Sequence, residues 1–198
     1  MVTIKFNFFV WETISAFRAI QRYFELIESQ IEKVKDEEWQ KLKELPAPID
    51  EEEYQTEYLP TVGAHKHEFE KLLPRIVGYS FVMMLFSELE FRLNEVTREI
   101  NKRDNVPQKI SDFNGDLVEK FCKFLKASGK PQIDIAEKTE INDFKVVRNC
   151  IVHNNGFLNN FRKSEQVRKI ARNKLHIEII GKPASERIQS LLGTSINK

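Results

Sequence analysis

This chain is poor in the two residues that most often interrupt regular structure, with only seven glycines and seven prolines among 198 residues. Both β-rich and disordered proteins usually contain many such residues, so their scarcity argues against both classes. Charged residues make up 31% of the chain and hydrophobic residues 41%, a balance typical of soluble helical proteins. We therefore predict an all-α protein. The length suits a single domain over residues 1–198, because domains usually run to roughly 100 to 200 residues.

The chain also lacks a net charge of one sign and a framework of cysteines. The formal net charge is +1, so any contact with nucleic acid has to come from a local basic patch. The two cysteines, Cys122 and Cys150, lie in apolar helical patterns and suit buried thiols in a reducing compartment. This cysteine usage predicts a cytoplasmic protein.

No uninterrupted apolar run reaches the length of a membrane helix. The most hydrophobic segment, residues 72–86, contains Pro74, Arg75 and Gly78 and falls short of the roughly 20 apolar residues that a span requires. The apolar N-terminus lacks the basic start and the small-residue cleavage site of a secretory signal. We expect a core helix here and no membrane association.

Apolar residues at steps of three or four predict two long helices. The first runs from about Phe8 to Leu45, where prolines stop it, and the acidic run from Asp50 to Glu53 predicts an exposed loop. The second begins after "TVGAHKHEFE" and ends near Lys102. Its middle is apolar nearly all round, which predicts a central position in the protein.

Two carboxylates, Glu88 and Glu90, enter the apolar middle of the second helix. A buried carboxylate is costly unless it is paired, so both need partners, and Glu90 is the more conspicuous. We keep Glu90 as a candidate to support a functional site.

Shorter elements follow. The segment "DLVEKFCKFLKASG" predicts a short helix that ends at Gly129 in the left-handed conformation. A further helix, called here the motif helix, is expected between Thr139 as its N-terminal cap and Gly156 as its end. A basic segment from Phe157 to Lys174 comes next. "LHIEII" then predicts a short strand or extended edge, and "SERIQSLL" a closing helical turn.

The motif helix contains "VVRNCIVHNNG" and has two distinct faces at about 100° per residue. The face predicted to turn to the core carries Ile141, Phe144, Val147 and Ile151. The roughly opposite side carries Val146, Asn149, Cys150 and His153. That second face mixes apolar and polar groups and needs a cover. Because a two-fold axis would let two copies bury it at once, we predict a homodimer through the motif helix.

Arg148 and His153 could carry chemistry on this helix. Arg148 offers a planar fork suited to phosphate, and His153 is of the residue type best suited to proton transfer near neutral pH. Together they would suffice to cut RNA through its own 2′-hydroxyl without a metal. The same spacing also fits a capping histidine and a salt-bridged arginine, so the residues alone leave both interpretations open.

The stretch "RNCIVHNNG" resembles the motif of the HEPN superfamily (higher eukaryotes and prokaryotes nucleotide-binding domains). In that motif four to six residues separate the arginine and the histidine, and the residue after the arginine is often polar. Here four residues separate Arg148 from His153, and the polar residue is Asn149. The order of elements from about Phe8 to Phe157 is also similar, with a long first helix, a long central helix containing "SELEFRL", a short third helix and the motif helix.

The resemblance implies a bundle of four to five helices, two of them long and antiparallel, with a short extended segment near the C-terminus. It places the domain core at about residues 8–157 and a basic C-terminal extension at 158–198. Many members of the family are metal-independent endoribonucleases. They dimerise with two motif helices facing each other and act as toxins of toxin–antitoxin pairs, in defence against phage or in RNA processing.

Carried over to this chain, the resemblance makes Arg148 and His153 the catalytic pair, with Asn149 in support. Glu90 and Asn154 are further candidates for support. RNA would be the substrate, no cofactor would be needed, and an antitoxin or another defence-system protein would be a partner.

One position departs from part of the family. Members paired with nucleotidyltransferase antitoxins have a tyrosine two residues after the histidine, where this chain has Asn155. Other members keep the fold without nuclease activity. The alternative expectation is therefore a non-catalytic module for dimerisation or for binding a nucleotide or a partner.

The segment after the motif supplies the local basic patch that RNA binding requires. Its candidate RNA-binding residues are Arg162, Lys163, Arg168, Lys169 and Arg172, set against a single Glu165. A solvated helix face explains the same charges equally well. No metal site is predicted, because the histidines of "HKH" have no companions at ligand spacing. The chain also has no glycine-rich phosphate loop and no nucleophile elbow.

Overall fold

The computed structural model describes residues 8–173, 177–180 and 187–190 of the chain. Five helices and a two-stranded hairpin make up this part, which confirms the all-α class with a short extended segment near the C-terminus. The elements are α1 (Phe8–Lys43), α2 (Glu51–Asp104), α3 (Leu117–Ala127), α4 (Ile135–Asn154), α5 (Ser164–Asn173), β1 (Ile177–Ile180) and β2 (Arg187–Ser190). A 3₁₀ turn at Ile110–Asp112 precedes α3.

Helix α2 begins earlier than its apolar pattern predicts. The acidic run is its first turn, so the expected loop at these residues is wrong. Asp50 is the N-cap, and its Oδ1 accepts a hydrogen bond from the Glu53 backbone N–H at 2.8 Å. The Glu53 carboxylate in turn accepts from the Ile49 backbone N–H. Carboxylates suit this position because the N-terminal end of a helix carries partial positive charge.

Two prolines lie inside α2 without ending it. Its α-helical stretches are Glu51–Glu53, Leu59–His67 and Leu73–Asp104, joined by π-helical turns at Tyr54–Tyr58 and Glu68–Leu72. Each π turn lies just before a proline, Pro60 or Pro74. A proline lacks the backbone N–H and crowds the carbonyl four residues earlier, and a wider turn accommodates both defects.

Helices α1 and α2 form the predicted antiparallel pair. The rings of Phe24 and Phe81 lie 4.4 Å apart between centroids, and those of Trp39 and His65 lie 4.8 Å apart. Trp39, nearer the C-terminus of α1 than Phe24, contacts His65, which is nearer the N-terminus of α2 than Phe81. The two helices therefore run in opposite directions. The loop between them holds the prolines that end α1.

A buried arginine fixes the other end of this pair. Arg92 is only 8% exposed, and its guanidinium pairs with Glu88 at 2.7 Å, Glu95 at 3.4 Å and Glu12 of α1 at 3.6 Å. Pairing removes most of the cost that an isolated buried charge would carry. Glu88 therefore has the partner that its position required.

The caps of the two shorter helices differ in how far the sequence predicts them. Asp116 caps α3, and Gly129 after it has the predicted left-handed backbone, with φ +63°. Asp134, and not Thr139, caps α4, which begins at Ile135. The Thr139 hydroxyl donates to the Ile135 carbonyl inside the helix at 2.8 Å. The N-cap prediction was wrong because two residue types with cap chemistry lie within one and a half turns.

The C-terminal hairpin pairs β1 and β2 in antiparallel register, with Ile177 opposite Ser190 and Ile180 opposite Arg187. The strand expected in "LHIEII" is confirmed. The helical turn expected in "SERIQSLL" is wrong for residues 187–190, which form β2, and the rest of that segment lies outside the described residues. A partner strand supplies hydrogen bonds that the periodicity of one segment cannot reveal.

The core has two parts, and α2 contributes to both. The motif-helix core consists of Tyr79, Val82, Val146, Val147, Cys150, Ile151, Leu158, Val167 and Ile170. The second part joins Leu93 and Ile100 of α2 to Val118, Phe121, Phe124 and Leu125. The central position of the second long helix is thus confirmed. Residues after 157 also enter the core, because Val167 and Ile170 of α5 pack against the motif helix.

Part of α2 is apolar enough to be compared with a membrane helix. Within Glu51–Asp104 an 18-residue window has a mean hydropathy of 1.4, which by length and composition alone would allow a membrane span, and 22% of that window is buried. Tyr79, Val82 and Phe86 of this helix are buried within the chain. These three side chains belong to the core of the described part of the chain.

Candidate functional site

The motif helix corresponds to α4, and the protein itself covers more of it than the sequence suggests. Val146 and Cys150 are buried at 4% and 0% exposure, beside Val147 and Ile151. The prediction that Val146 and Cys150 lie on a face open to a second subunit is wrong. Val167 and Ile170 of α5 join the same core, which also includes Tyr79 and Val82 of α2. The sector left uncovered is narrower: Val152 and His153 are exposed there, and the half-buried Arg148 and Asn149 lie at its edge.

Burial has a chemical consequence at Cys150. It raises the pKa of this thiol to about 11. The Sγ atom lies 3.5 Å from the Phe157 carbonyl oxygen. Cys150 is therefore a neutral packing residue at physiological pH, since the thiolate is the reactive form of cysteine.

His153 lies in the last turn of α4 and is exposed to solvent. Among the described residues its ring has no hydrogen bond, ion pair or ring contact. The helix end beneath it is tied to α2, because the Tyr79 hydroxyl donates to the Asn155 carbonyl oxygen at 3.2 Å. Asn155 and Gly156 then turn the chain with left-handed backbones, at φ +49° and +75°. An accessible imidazole is thus held on a well-anchored helix end.

Asn154 has a structural task in the loop that follows. Its side-chain amide donates to the Phe157 carbonyl at 3.1 Å and to the Asn159 carbonyl at 2.8 Å. These bonds hold the connection between α4 and α5. Asn154 therefore shapes the loop that follows the motif helix.

Arg148 is half-buried and held from two sides. Its guanidinium carbon lies 5.4 Å from the centre of the Phe86 ring, within the range of a cation–π contact. Its Nη1 donates to the Asn149 side-chain oxygen at 3.0 Å. The Nε–H is buried and has no hydrogen-bond partner among the described residues. Since a buried donor without an acceptor is costly, this nitrogen is the least satisfied polar atom of the site.

A cavity of about 160 Å³ lies next to Arg148, where α2, α3 and α4 meet. Its polar and aromatic lining consists of Phe86, Glu90, Asp116, Lys145, Arg148 and Asn149. Lys145 and Asp116 form an ion pair with each other. Burial alone would raise the pKa of Asp116, but hydrogen bonds from Lys145 and from backbone N–H groups outweigh it and lower that pKa. Of the charged residues that line the cavity, Arg148 and Glu90 are the two that do not belong to this ion pair.

Glu90 lines this cavity half-buried, and its carboxylate has no hydrogen bond or ion pair among the described residues. It differs in this from Glu88, two residues earlier, which pairs with Arg92. Glu90, which the sequence singled out, is thus the one of these two carboxylates that has no partner in the part of the chain that the structure describes.

Arg148 and His153 do not meet within one chain. They are five residues apart, which corresponds to about 140° around the helix. The cavity beside Arg148 includes Asn149 but not His153. Arg148 faces the junction of α2 and α3, whereas His153 lies at the open end of the helix.

The candidate RNA-binding residues lie on and just before α5. Val167 and Ile170 turn inward at 0% and 4% exposure. Four of the five candidates are exposed: Arg162, Lys163, Lys169 and Arg172. The fifth, Arg168, is half-buried and pairs with Glu165. The structure thus displays basic residues next to the end of the motif helix.

Two residues that support the site were not identified from the sequence. Tyr79 anchors the helix end and Phe86 carries the Arg148 guanidinium. Both belong to the aromatic stripe of α2, where periodicity predicts core packing and nothing distinguishes an anchor from its neighbours. Their roles follow only from how α2 crosses α4.

Metal-ligating side chains are not grouped in the part of the chain that the structure describes: no three of His, Cys, Asp and Glu come together there. His65 lies between aromatic rings, with centroids 4.8 Å from Trp39 and 4.7 Å from Phe69. The packing of His65 explains its place in the "HKH" segment.

Comparison with known proteins found none that is similar to this chain. No protein-family model matches it, and neither does any curated protein or any solved structure. The function of this chain is therefore inferred from its own site and from the motif in α4.

Proposed function

We propose that this protein is a HEPN-type endoribonuclease that acts as a homodimer in the cytoplasm. The observation that carries the proposal is the accessible imidazole of His153, which has no partner among the described residues, on the same helix as the half-buried guanidinium of Arg148. Basic residues of α5 lie next to that helix end. A prokaryotic toxin or an anti-phage defence protein, with an antitoxin or another defence-system protein as partner, is the biological role that fits such an activity.

The reaction is attack of the RNA 2′-hydroxyl oxygen on the neighbouring phosphorus. A bond forms from O2′ to phosphorus and the bond from phosphorus to O5′ breaks, which leaves a 2′,3′-cyclic phosphate and a free 5′-hydroxyl. His153 accepts the proton of the 2′-hydroxyl, and a protonated histidine delivers one to the departing O5′. Arg148 stabilises the charge that develops on the phosphoryl oxygens.

Asn149 has a positioning role in this scheme. Its side-chain oxygen accepts from Arg148 Nη1 and so fixes the direction of the guanidinium. An arginine has five N–H donors in a rigid fork. With one of them held by Asn149, the remaining donors of the two terminal nitrogens are free to bind phosphate.

A two-fold arrangement would bring the separated groups together. The uncovered sector of α4 carries Val152, 44% exposed, between Arg148 and His153. When two such sectors face each other, the arginine of one copy approaches the histidine of the other, and an apolar valine lies at the contact. The dimer is therefore part of the proposed active site and not an accessory to it.

The first experiment incubates the protein with mixed RNAs in EDTA. Wild type should cleave and leave cyclic phosphate ends, whereas His153→Ala and Arg148→Ala should each lower the rate by at least about a hundredfold, the typical worth of an acid–base or charge-stabilising group. His67→Ala and Arg98→Ala, which alter exposed residues of α2, are matched controls and should keep full activity. Wild type without cleavage, or cleavage that survives both active-site substitutions, would refute the proposal.

A second experiment tests the dimer separately. Val152→Glu places a charge in the uncovered sector and should convert a dimer to a monomer in analytical ultracentrifugation, with loss of RNA cleavage. Val34→Glu alters a valine of nearly equal exposure on α1, 42% against 44%, and should leave the dimer intact. A monomeric wild type would remove the two-fold site from the proposal.

One observation favours a second candidate. Arg148 lines a cavity together with Glu90 and does not contact His153. A non-catalytic HEPN-like module, in which Arg148 binds a small ligand or orders an interface, would use this arrangement. In that case the RNA assay fails while Arg148→Ala still changes ligand binding or dimerisation.

A further inference from the structure

Helix α2 carries an apolar stripe that no other element covers in the part of the chain that the structure describes. Its members follow one another at steps of three or four residues: Ile76, Ser80, Met84, Ser87 and Phe91. The three large side chains are 48%, 37% and 49% exposed. An 18-residue window of this helix has a mean hydropathy of 1.4, yet only 22% of it is buried. A composition typical of a core helix is thus left largely open.

Helical spacing gives the direction of this stripe, at about 100° per residue. Phe81 marks the direction of α1, because its ring packs on Phe24. Measured from Phe81, Val82 and Phe86 lie at roughly +100° and +140°, whereas the stripe lies at roughly −60° to −140°. Val82 belongs to the motif-helix core and Phe86 contacts Arg148. The stripe therefore lies on the side of α2 remote from the motif helix.

The order of side chains along the stripe is nearly the same from either end. Large and small residues alternate from Ile76 to Phe91, and the midpoint lies at Met84. A two-fold axis at this midpoint, with two copies of α2 antiparallel, places Ile76 opposite Phe91 of the other copy and Ser80 opposite Ser87. The serines leave room for the two flexible methionines. The Ser80 hydroxyl already donates to the Ile76 carbonyl at 2.9 Å, so its burial leaves no unpaired donor.

Charges beyond the two ends of the stripe are complementary about the same axis. Arg98 lies seven residues after Phe91, at roughly −100° from the direction of α1, and its side chain is 68% exposed. Glu68 lies eight residues before Ile76 and is exposed. It directly precedes Phe69, which is buried towards α1, so Glu68 lies on the side of the stripe. The axis therefore brings Arg98 of each copy within about one residue of Glu68 of the other.

We infer that this stripe binds a second copy of the chain across a two-fold axis near Met84, with Arg98 of each copy beside Glu68 of the other. Three partly exposed large side chains cover less than the roughly 800 Å² that each partner of a standard interface buries. The contact is therefore weak, and at high concentration it joins two motif-helix dimers into a tetramer. The inference rests on the proposed function only for the size of the unit that associates.

Sedimentation velocity of the full chain tests the contact over a range from about 5 to about 500 µM, which covers the affinities of weak interfaces. The protein should be a dimer when dilute and a tetramer when concentrated. Met84→Glu should remain a dimer throughout, because it places two carboxylates together at the axis. Ile14→Glu alters a residue of α1 that is 46% exposed and should still form tetramers. Ile76→Glu provides the same test if far-UV circular dichroism shows that Met84→Glu does not fold.

A charge exchange tests the geometry of the contact. Arg98→Glu and Glu68→Arg should each raise the dissociation constant of the tetramer about tenfold, because the contact occurs twice and the change turns attraction into repulsion. The double variant should restore the wild-type value. Lys33→Glu is the matched control: Lys33 is also 68% exposed in its side chain and also lies 3.9 Å from a carboxylate, that of Glu37.

A dimer at every concentration would overturn the inference and leave the stripe to a different protein. A tetramer that survives in folded Met84→Glu, or a double charge variant no better than its single parents, would overturn it as well. RNA cleavage tests the proposed function separately, since dimeric Met84→Glu should cleave as wild type does. A wild type that is monomeric when dilute and dimeric when concentrated, and that Met84→Glu keeps monomeric, would support this contact and refute the motif-helix dimer.

Discussion

Gly156 is the position at which the anchoring of the motif helix can be tested most directly. A Cβ built on this residue would lie 1.7 Å from the Tyr79 hydroxyl oxygen and 2.5 Å from Cζ of the same ring. The backbone there is left-handed, with φ +75°. Gly156→Ala therefore introduces backbone strain and also forces Tyr79 away from the Asn155 carbonyl that it binds.

The expected cost has separable parts. The left-handed conformation costs an L-residue about 1 to 2 kcal/mol, and the stiffer unfolded chain offsets about 0.4 to 1 kcal/mol of it. Overpacking against the tyrosine adds about 1 to 3 kcal/mol, and the lost hydrogen bond about 1 kcal/mol. The free energy of unfolding should fall by about 2 to 5 kcal/mol in total.

Gly129 provides the matched control. Its backbone is also left-handed, at φ +63°, but a Cβ added to it would have no neighbouring atom within 4 Å. Gly129→Ala should therefore show only the backbone part, and the two variants should differ by about 2 to 4 kcal/mol in urea denaturation followed by circular dichroism. Removing the hydroxyl with Tyr79→Phe should be less costly in Gly156→Ala than in wild type, because the two groups compete for space. Equal losses from both glycine variants would refute this account of the helix end.

Three further predictions concern separate parts of the molecule. Arg92→Ala removes the shared partner of Glu88, Glu95 and Glu12, whose side chains are 20%, 28% and 47% exposed, and should destabilise by about 1 to 3 kcal/mol. Arg98→Ala, 68% exposed in its side chain, should change stability by less than about 0.5 kcal/mol in the same denaturation assay. Cys150 should resist a thiol reagent in the native protein at neutral pH, while Cys122 reacts. Because burial raises the pKa of Cys150 to about 11, this thiol ionises at a lower pH in the unfolded chain than in the native protein. The free energy of unfolding should therefore fall between about pH 9 and pH 11. Lys169→Ala should weaken RNA binding in filter assays and reduce the salt slope of log K by roughly 0.7, and an unchanged slope would remove α5 from the RNA-binding surface.

Periodicity within one segment predicted most of the helices. Helix α1, the short helix ending at Gly129 and the motif helix all follow from steps of three or four and from residues that end helices. The start of α2 was missed because the acidic run suggested a loop and Pro60 looks like a break, whereas a π-helical turn before Pro60 lets the helix continue. The strand at β2 was missed because strand pairing depends on β1, which no local pattern reveals.

The candidate site also has some features that the sequence predicts and others that only the structure shows. The sequence alone determined that Arg148, Asn149 and His153 share one helix, and it singled out Glu90 as a carboxylate in need of a partner. These conclusions depend only on helical spacing and on the cost of burying a charge.

Only the tertiary structure decided which parts of the motif helix are covered and what Arg148 faces. Val146 and Cys150 are buried in a core completed by Val167 and Ile170 of α5, so the open sector is limited to the side that carries Arg148 and His153. Arg148 lies over Phe86 beside Glu90 because α2 crosses α4 at that level. Spacing along one helix fixes the angles between its own side chains, but burial depends on which distant segments pack against it.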